Sequence, residues 1–287
     1  MPIDKVLIDA RSLASELGDL RLRIIDSTAF LRREVADGPY TVESGRESYE
    51  QAHIPGAVFA DVAGDLSDPD SPFRLALPSP ARFARAMGNL GVGPGVRVVA
   101  YAQQSPMWAT RLWWMLRYFG FDDVRVLDGG LTAWRQAGYE LSGAQVAVEP
   151  AGFVARPRPE LLATKKDVIA VTEGEPACLV NALTPEAFKG LGPGAYSRPG
   201  RIPGSMSAPA QSLVDTESWR FRPRDELARE LSGLLDPAVP VIAYCGAGIS
   251  ATVDILVLSM LGRDDVRLYD GSLTEWSADL TLPLAIG

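Results

Sequence analysis

The chain has 287 residues, 47% of them hydrophobic and 22% charged, with a formal net charge of −8. That is an ordinary globular composition, long enough for two domains. The acidic balance argues against a nucleic-acid role. One histidine and two cysteines argue against a zinc site or a disulfide framework, and the lack of a long apolar run argues against a membrane span.

The opening residues lack the apolar core of a signal peptide, so a cytoplasmic location is expected. Apolar residues at helical spacing predict a helix over residues 6–17, followed by a strand over 22–26. A polar loop is expected up to Gly45, then a short helix over 47–52. His53-Ile-Pro-Gly56 is a turn leading into a strand that ends at Asp61. Residues 66–80 are rich in Pro, Asp and Ser and read as loop. A helix over 79–90 has Pro in its first turn, where Pro is tolerated. A strand over 96–101, a Trp- and Leu-rich helix over 107–119, a strand over 124–127 and a helix over 131–137 complete the first half. Residues 141–160 show no clear period and read as an interdomain linker. Then the pattern restarts: helix 165–173, strand 178–181, a turn at Arg201-Ile-Pro-Gly204, helix 223–235, and strands 239–244 and 266–269.

The second half answers the first motif by motif. Arg201-Ile-Pro-Gly-Ser205 matches His53-Ile-Pro-Gly-Ala57, Tyr244 matches Tyr101, and Asp270-Gly-Ser-Leu-Thr-Glu-Trp276 matches Asp128-Gly-Gly-Leu-Thr-Ala-Trp134. The expected fold is therefore α/β, with domains at 1–140 and 161–287, each a mainly parallel sheet flanked by helices. In such sheets the site lies beyond the carboxyl ends of the strands. In the second half that place holds Cys245; in the first it holds Ala102.

Cys245-Gly-Ala-Gly-Ile-Ser250 joins a buried-strand pattern to a helical one. The first amides of a helix have no intrahelical acceptor, and with the helix dipole they favour an anion. Cys245 thus has the setting of a nucleophile, with glycines that let the backbone fold round the sulfur. Cys178 sits in an apolar strand pattern and reads as inert. Trp113, Trp114, Trp134 and Trp276 read as core, with Trp108 facing the domain cleft. His53, Asp128 and Asp270 read as fold residues, and Ser272 with Glu275 fits a capping box for the last helix.

The duplicated motifs, taken in order with the Cys245 loop, make the chain resemble the tandem-domain rhodanese family, of the thiosulfate and 3-mercaptopyruvate sulfurtransferase type. The resemblance implies an enzyme without cofactor or metal. Cys245 would take a sulfane sulfur from a small-molecule donor as a persulfide and pass it to a thiol or cyanide. The amides of Gly246, Ala247, Gly248, Ile249 and Ser250 would cradle that sulfur. The alternative is a weakly active binding, regulatory or sulfur-carrier protein. Related phosphatases end a longer loop in arginine, whereas Ala251 follows Ser250 here. The mercaptopyruvate branch also uses a Ser, a His and an Asp as a proton relay; those positions fall on Ala247, Leu75 and Ala63. One of its carboxylate-binding arginines falls near Ala187. Arg198 and Arg201 are the expected replacement anion site, and the absent relay together with an uncharged loop implies a slow enzyme with either donor.

Overall fold

The computed structural model describes residues 5–33, 40–191 and 196–287. The first half runs β1 (Leu7–Ile8), α1 (Ala10–Glu16), β2 (Leu22–Asp26), β3 (Ala29–Arg32), β4 (Thr41–Ser44), α2 (Arg46–Gln51), β5 (Val58–Phe59), α3 (Pro80–Asn89), β6 (Arg97–Tyr101), α4 (Met107–Tyr118), β7 (Val124–Leu127) and α5 (Gly130–Gln136). The second runs β8 (Leu162–Ala163), α6 (Lys165–Thr172), β9 (Cys178–Asn181), α7 (Pro185–Phe188), β10 (Met206–Ser207), α8 (Arg224–Glu230), β11 (Val241–Tyr244), α9 (Ala251–Met260), β12 (Arg267–Tyr269) and α10 (Ser272–Ala278). Each half builds a five-stranded sheet, ordered β1-β7-β6-β2-β5 and β8-β12-β11-β9-β10. Every pairing in these two sheets is parallel. The fold is therefore two tandem α/β domains, each with a parallel sheet flanked by helices, as the duplicated motifs imply. No helix of the described residues is long and apolar enough to cross a membrane.

Strand alternation sorts the side chains into layers. In β6, Val99 and Tyr101 face an outer cluster with Leu13 and Trp134. In β11, Ile242 and Tyr244 face another outer cluster with Val168 and Trp276. Val98, Ala100, Val241 and Ala243 point the other way, into one central cluster that continues through both domains. Helices α4 and α9 lie in this central layer. All residues of α9 are buried, and all of α4 except its first. A helix apolar on every side belongs in a core. Thr110 and Thr252 hydrogen-bond across the two helices at 2.7 Å.

The halves also exchange reciprocal contacts. Asp128, just after β7, accepts the backbone N–H of Phe221 in the second half at 2.9 Å. Asp270, just after β12, accepts the N–H of Leu77 in the first at 2.8 Å. Two residues before each donor lies a non-glycine residue in the left-handed region, Leu75 (φ 64°) and Trp219 (φ 57°). Both aspartates thus hold the domains together, in keeping with their reading as fold residues.

Several expected elements change. Residues 6–17 are not one helix: Leu7 and Ile8 pair with Val126 and Leu127, and Asp9 caps α1 by accepting the Ser12 N–H. The stretch read as a loop before Gly45 contains the antiparallel pair β3–β4. The helix expected over 223–235 is broken, α8 giving way to a 3₁₀ turn at Ser232–Leu234. Trp108 is 3% exposed, within the central cluster that both domains share.

Candidate active site

Cys245 directly follows β11. By strand alternation it continues the face of Val241 and Ala243, and it belongs to the central cluster, on the side turned to the first domain. It is 2% exposed. The loop that follows leads into the N-terminus of α9, where Ser250 provides no side-chain cap. Gly248 takes φ +70°, and a Cβ there would lie 2.7 Å from Asp270 Oδ1. This position needs glycine for both conformation and space.

Two loop amides are already engaged. The N–H groups of Cys245 and Gly248 both donate to Ser272 Oγ at 3.1 Å, and Ser272 Oγ–H donates to Tyr269 O. Ser272 reaches this place with φ 48°. The expected capping box is therefore not formed: α10 has Gly271 as its cap residue and no side-chain cap bond. The hydroxyl shapes the cysteine loop instead. Among the described residues, the N–H groups of Gly246, Ala247, Ile249, Ser250 and Ala251 donate to no protein acceptor. Unspent amides at a helix N-terminus form an anion-binding nest.

Arg111 of α4 secures the loop from the first domain. It is 1% exposed. Its Nη1 donates to Gly248 O at 3.1 Å and to Asp270 Oδ1 at 2.6 Å, and its Nη2 donates to Leu75 O at 3.0 Å. Tyr196 closes the other side. A methyl group built on Gly246 would collide with its hydroxyl and stand 3.0 Å from its Cζ. Burial holds the Tyr196 hydroxyl well above the usual tyrosine range, and a Cys245 thiolate and Tyr40 add to this, while Arg33 opposes it. Arg33 lies just beyond β3, with its guanidinium 3.8 Å from the centre of the Tyr40 ring. The hairpin of the first domain thus reaches the site.

Beneath the loop, Asp254 is fully buried in α9, and neither carboxyl oxygen has a hydrogen-bond partner among the described residues. Burial raises its pKa well above the usual carboxylate range, with Cys245 and Glu230 adding to the effect.

The arginines singled out from sequence are otherwise engaged. Arg198 donates to the carbonyls of Ser277, Leu282 and Asp279. Arg201 donates to Phe188 O and Gly287 O, with its guanidinium over the Phe188 ring. Cys178 is half-buried rather than buried, and burial raises its thiol pKa. His53 Nδ1 lies 2.7 Å from Tyr49 O, and its ring stacks on that of Tyr49. In the first domain, Gln103 N–H is taken by Thr28 Oγ1 and Gly130 stands where Ser272 stands in the second.

Sequence reasoning missed Arg111 and Tyr196 and misassigned Ser272. Arginine inside an apolar helix signals a buried partner. The match of Ser272 to a glycine signals a left-handed position. Nothing in the sequence places Tyr196 near Cys245.

The arrangement defines a class of tandem α/β protein in which one domain carries a cysteine in an amide nest and the other walls it. The rhodanese-like domain model matches residues 5–137 and 172–279. The chain is 34% identical to the 3-mercaptopyruvate sulfurtransferase of Escherichia coli K12, covering 96% of each. It is 31% identical to the thiosulfate sulfurtransferase of Rattus norvegicus, covering 93% of this chain and 89% of the relative. The crystal structure of SseA, a 3-mercaptopyruvate sulfotransferase from Escherichia coli, superposes with a TM-score of 0.81 at 32% identity, covering 93% of this chain and 98% of that one. The chain belongs to the rhodanese-like family and is an enzyme of the sulfurtransferase type.

Proposed function

We propose that Cys245 is the residue that carries the sulfur, accepting it from thiosulfate or 3-mercaptopyruvate and passing it to a thiol or cyanide. The supporting observation is the set of unspent amides of Gly246, Ala247, Ile249, Ser250 and Ala251 around a cysteine at the end of β11. A persulfide anion is soft, singly charged and longer than a thiolate by one atom, so its terminal sulfur suits a nest of backbone donors without a bound cation. Arg198 and Arg201 are assigned to tying down the C-terminal segment, since their donors go to backbone carbonyls. A cytoplasmic setting suits two unbridged cysteines.

The test is to incubate the protein separately with each donor, measure thiocyanate after adding cyanide, and weigh the protein for one added sulfur. Cys245→Ser abolishes both signals, whereas Cys178→Ser keeps them. Loss of transfer in folded Cys178→Ser would move the site.

A further inference from the structure

The resemblance puts the relay of the mercaptopyruvate branch at Ala63, Leu75 and Ala247, whose side chains have no proton to give. Thiosulfate needs none, because sulfite leaves as a stable anion. A donor whose sulfur is bound to carbon does, because cleavage leaves the electron pair on carbon as an enolate. Of the hydroxyls that touch the loop from other elements among the described residues, Ser272 and Thr274 give their protons to the carbonyls of Tyr269 and Gly246, which leaves Tyr196. Tyr196 presses its hydroxyl on Gly246, the residue after the cysteine. The residue as a whole is half-buried. Among the described residues, no hydrogen bond claims that hydroxyl.

The geometry points to Tyr196 as a catalytic acid and base that carries the proton of a carbon-bound thiol donor from its sulfur to its carbon. This rests on Cys245 being the sulfur carrier. The Cys245 thiolate attacks the donor sulfur, the S–S bond forms and the C–S bond breaks, leaving an enolate and a neutral hydropersulfide, Cys245–S–SH. Tyr196 gives its O–H proton to the enolate carbon, which becomes the methyl group of the keto acid. The resulting phenolate takes the hydropersulfide proton. The cycle ends with a persulfide anion in the amide nest and a neutral tyrosine, with no proton gained or lost overall.

The surroundings fit both halves of this exchange. Burial and the neighbouring thiolate disfavour the phenolate, so Tyr196 waits protonated and, once deprotonated, is the stronger base beside an acidic hydropersulfide. Tyr40 acts in the same sense, and Arg33 limits the effect. Tyr196 needs no partner residue to orient a proton, since its phenol is both donor and acceptor.

The experiment is single-turnover loading of Cys245, followed by mass spectrometry, for the parent and Tyr196→Phe with each donor. Removing a general acid is expected to slow loading from mercaptopyruvate by about 10²-fold or more. Loading from thiosulfate stays within about twofold of the parent, which also shows that the variant is folded. The parent shows a solvent deuterium isotope effect with mercaptopyruvate that the variant loses. The proposal is overturned if both donors slow equally, if neither slows, or if the parent loads from thiosulfate and never from mercaptopyruvate. Failure of both donors to load the parent would instead overturn the assignment of Cys245, and the tyrosine's role with it.

Discussion

Ser272 holds the cysteine loop from a backbone conformation that L-residues avoid, at a cost of roughly 1–3 kcal/mol. Its counterpart Gly130 adopts the same region freely, at φ +53°. The strain is retained where a hydroxyl has two amides to fix. Ser272→Ala keeps the strained backbone and leaves the Cys245 and Gly248 amides without their acceptor. It should lose about 1–3 kcal/mol in urea unfolding and slow loading from both donors; unchanged loading would show that the loop holds its shape alone. Asp254 bears a different tension. Its folded pKa is raised, so the stability of its protonated form is complete below the unfolded value near 3.8 and is lost as pH rises toward the folded value. Asp254→Asn should match the parent near pH 4 and exceed it by about 1–3 kcal/mol at pH 8. A gap that does not change with pH would show that the carboxyl is already ionised in the fold. The setting of Cys245, between a strand end and a helix N-terminus, was legible in the sequence because its neighbours along the chain create it. Tyr196 was not, because a loop far away in sequence delivers it, and Arg198 looked free because its carbonyl partners lie near the chain's end.

At the level of elements, α4 and α9 show why the two domains work as one. Arg111 on α4 ties Leu75 of its own domain to Gly248 and Asp270 of the other. Removing one member of a buried ion pair leaves the other uncompensated. Arg111→Met should therefore destabilise the protein by about 3–5 kcal/mol and slow sulfur loading from both donors, read by chemical unfolding and by mass. A variant as stable as the parent would assign the clamp no structural weight. The strands and helices with clear period were legible, β7 and β9 among them. The hairpin β3–β4 was not, because its outward residues Leu31 and Arg32 are exposed and the alternation marks no buried face. The first strand was hidden because Leu7 and Ile8 continue the apolar spacing of α1 and only the pairing with β7 separates them.

At the scale of the whole molecule, the central cluster has no seam between the halves. Heat or urea should therefore unfold both domains in a single transition, with tryptophan fluorescence and far-ultraviolet dichroism coincident. Two resolved steps would show that each half carries its own stability. The duplication was plain in the sequence, whereas the shared core was not, because a helix buried between domains has the same composition as one buried within a domain.

The reciprocal bonds of Asp128 to Phe221 and of Asp270 to Leu77 have the form of an isologous contact, in which one surface patch meets its own copy across a two-fold axis. The chain is in effect a dimer closed within one polypeptide, with the equivalence of its subunits abandoned. One copy ends its strand in Cys245; the other has Ala102 there and keeps the shape. Its counterpart loop is held in its own way, by the Leu131 N–H on Ala102 O and the Gln103 N–H on Thr28 Oγ1, while Asp128, the left-handed turn at Leu75 and the clamp at Arg111 bear on the other half.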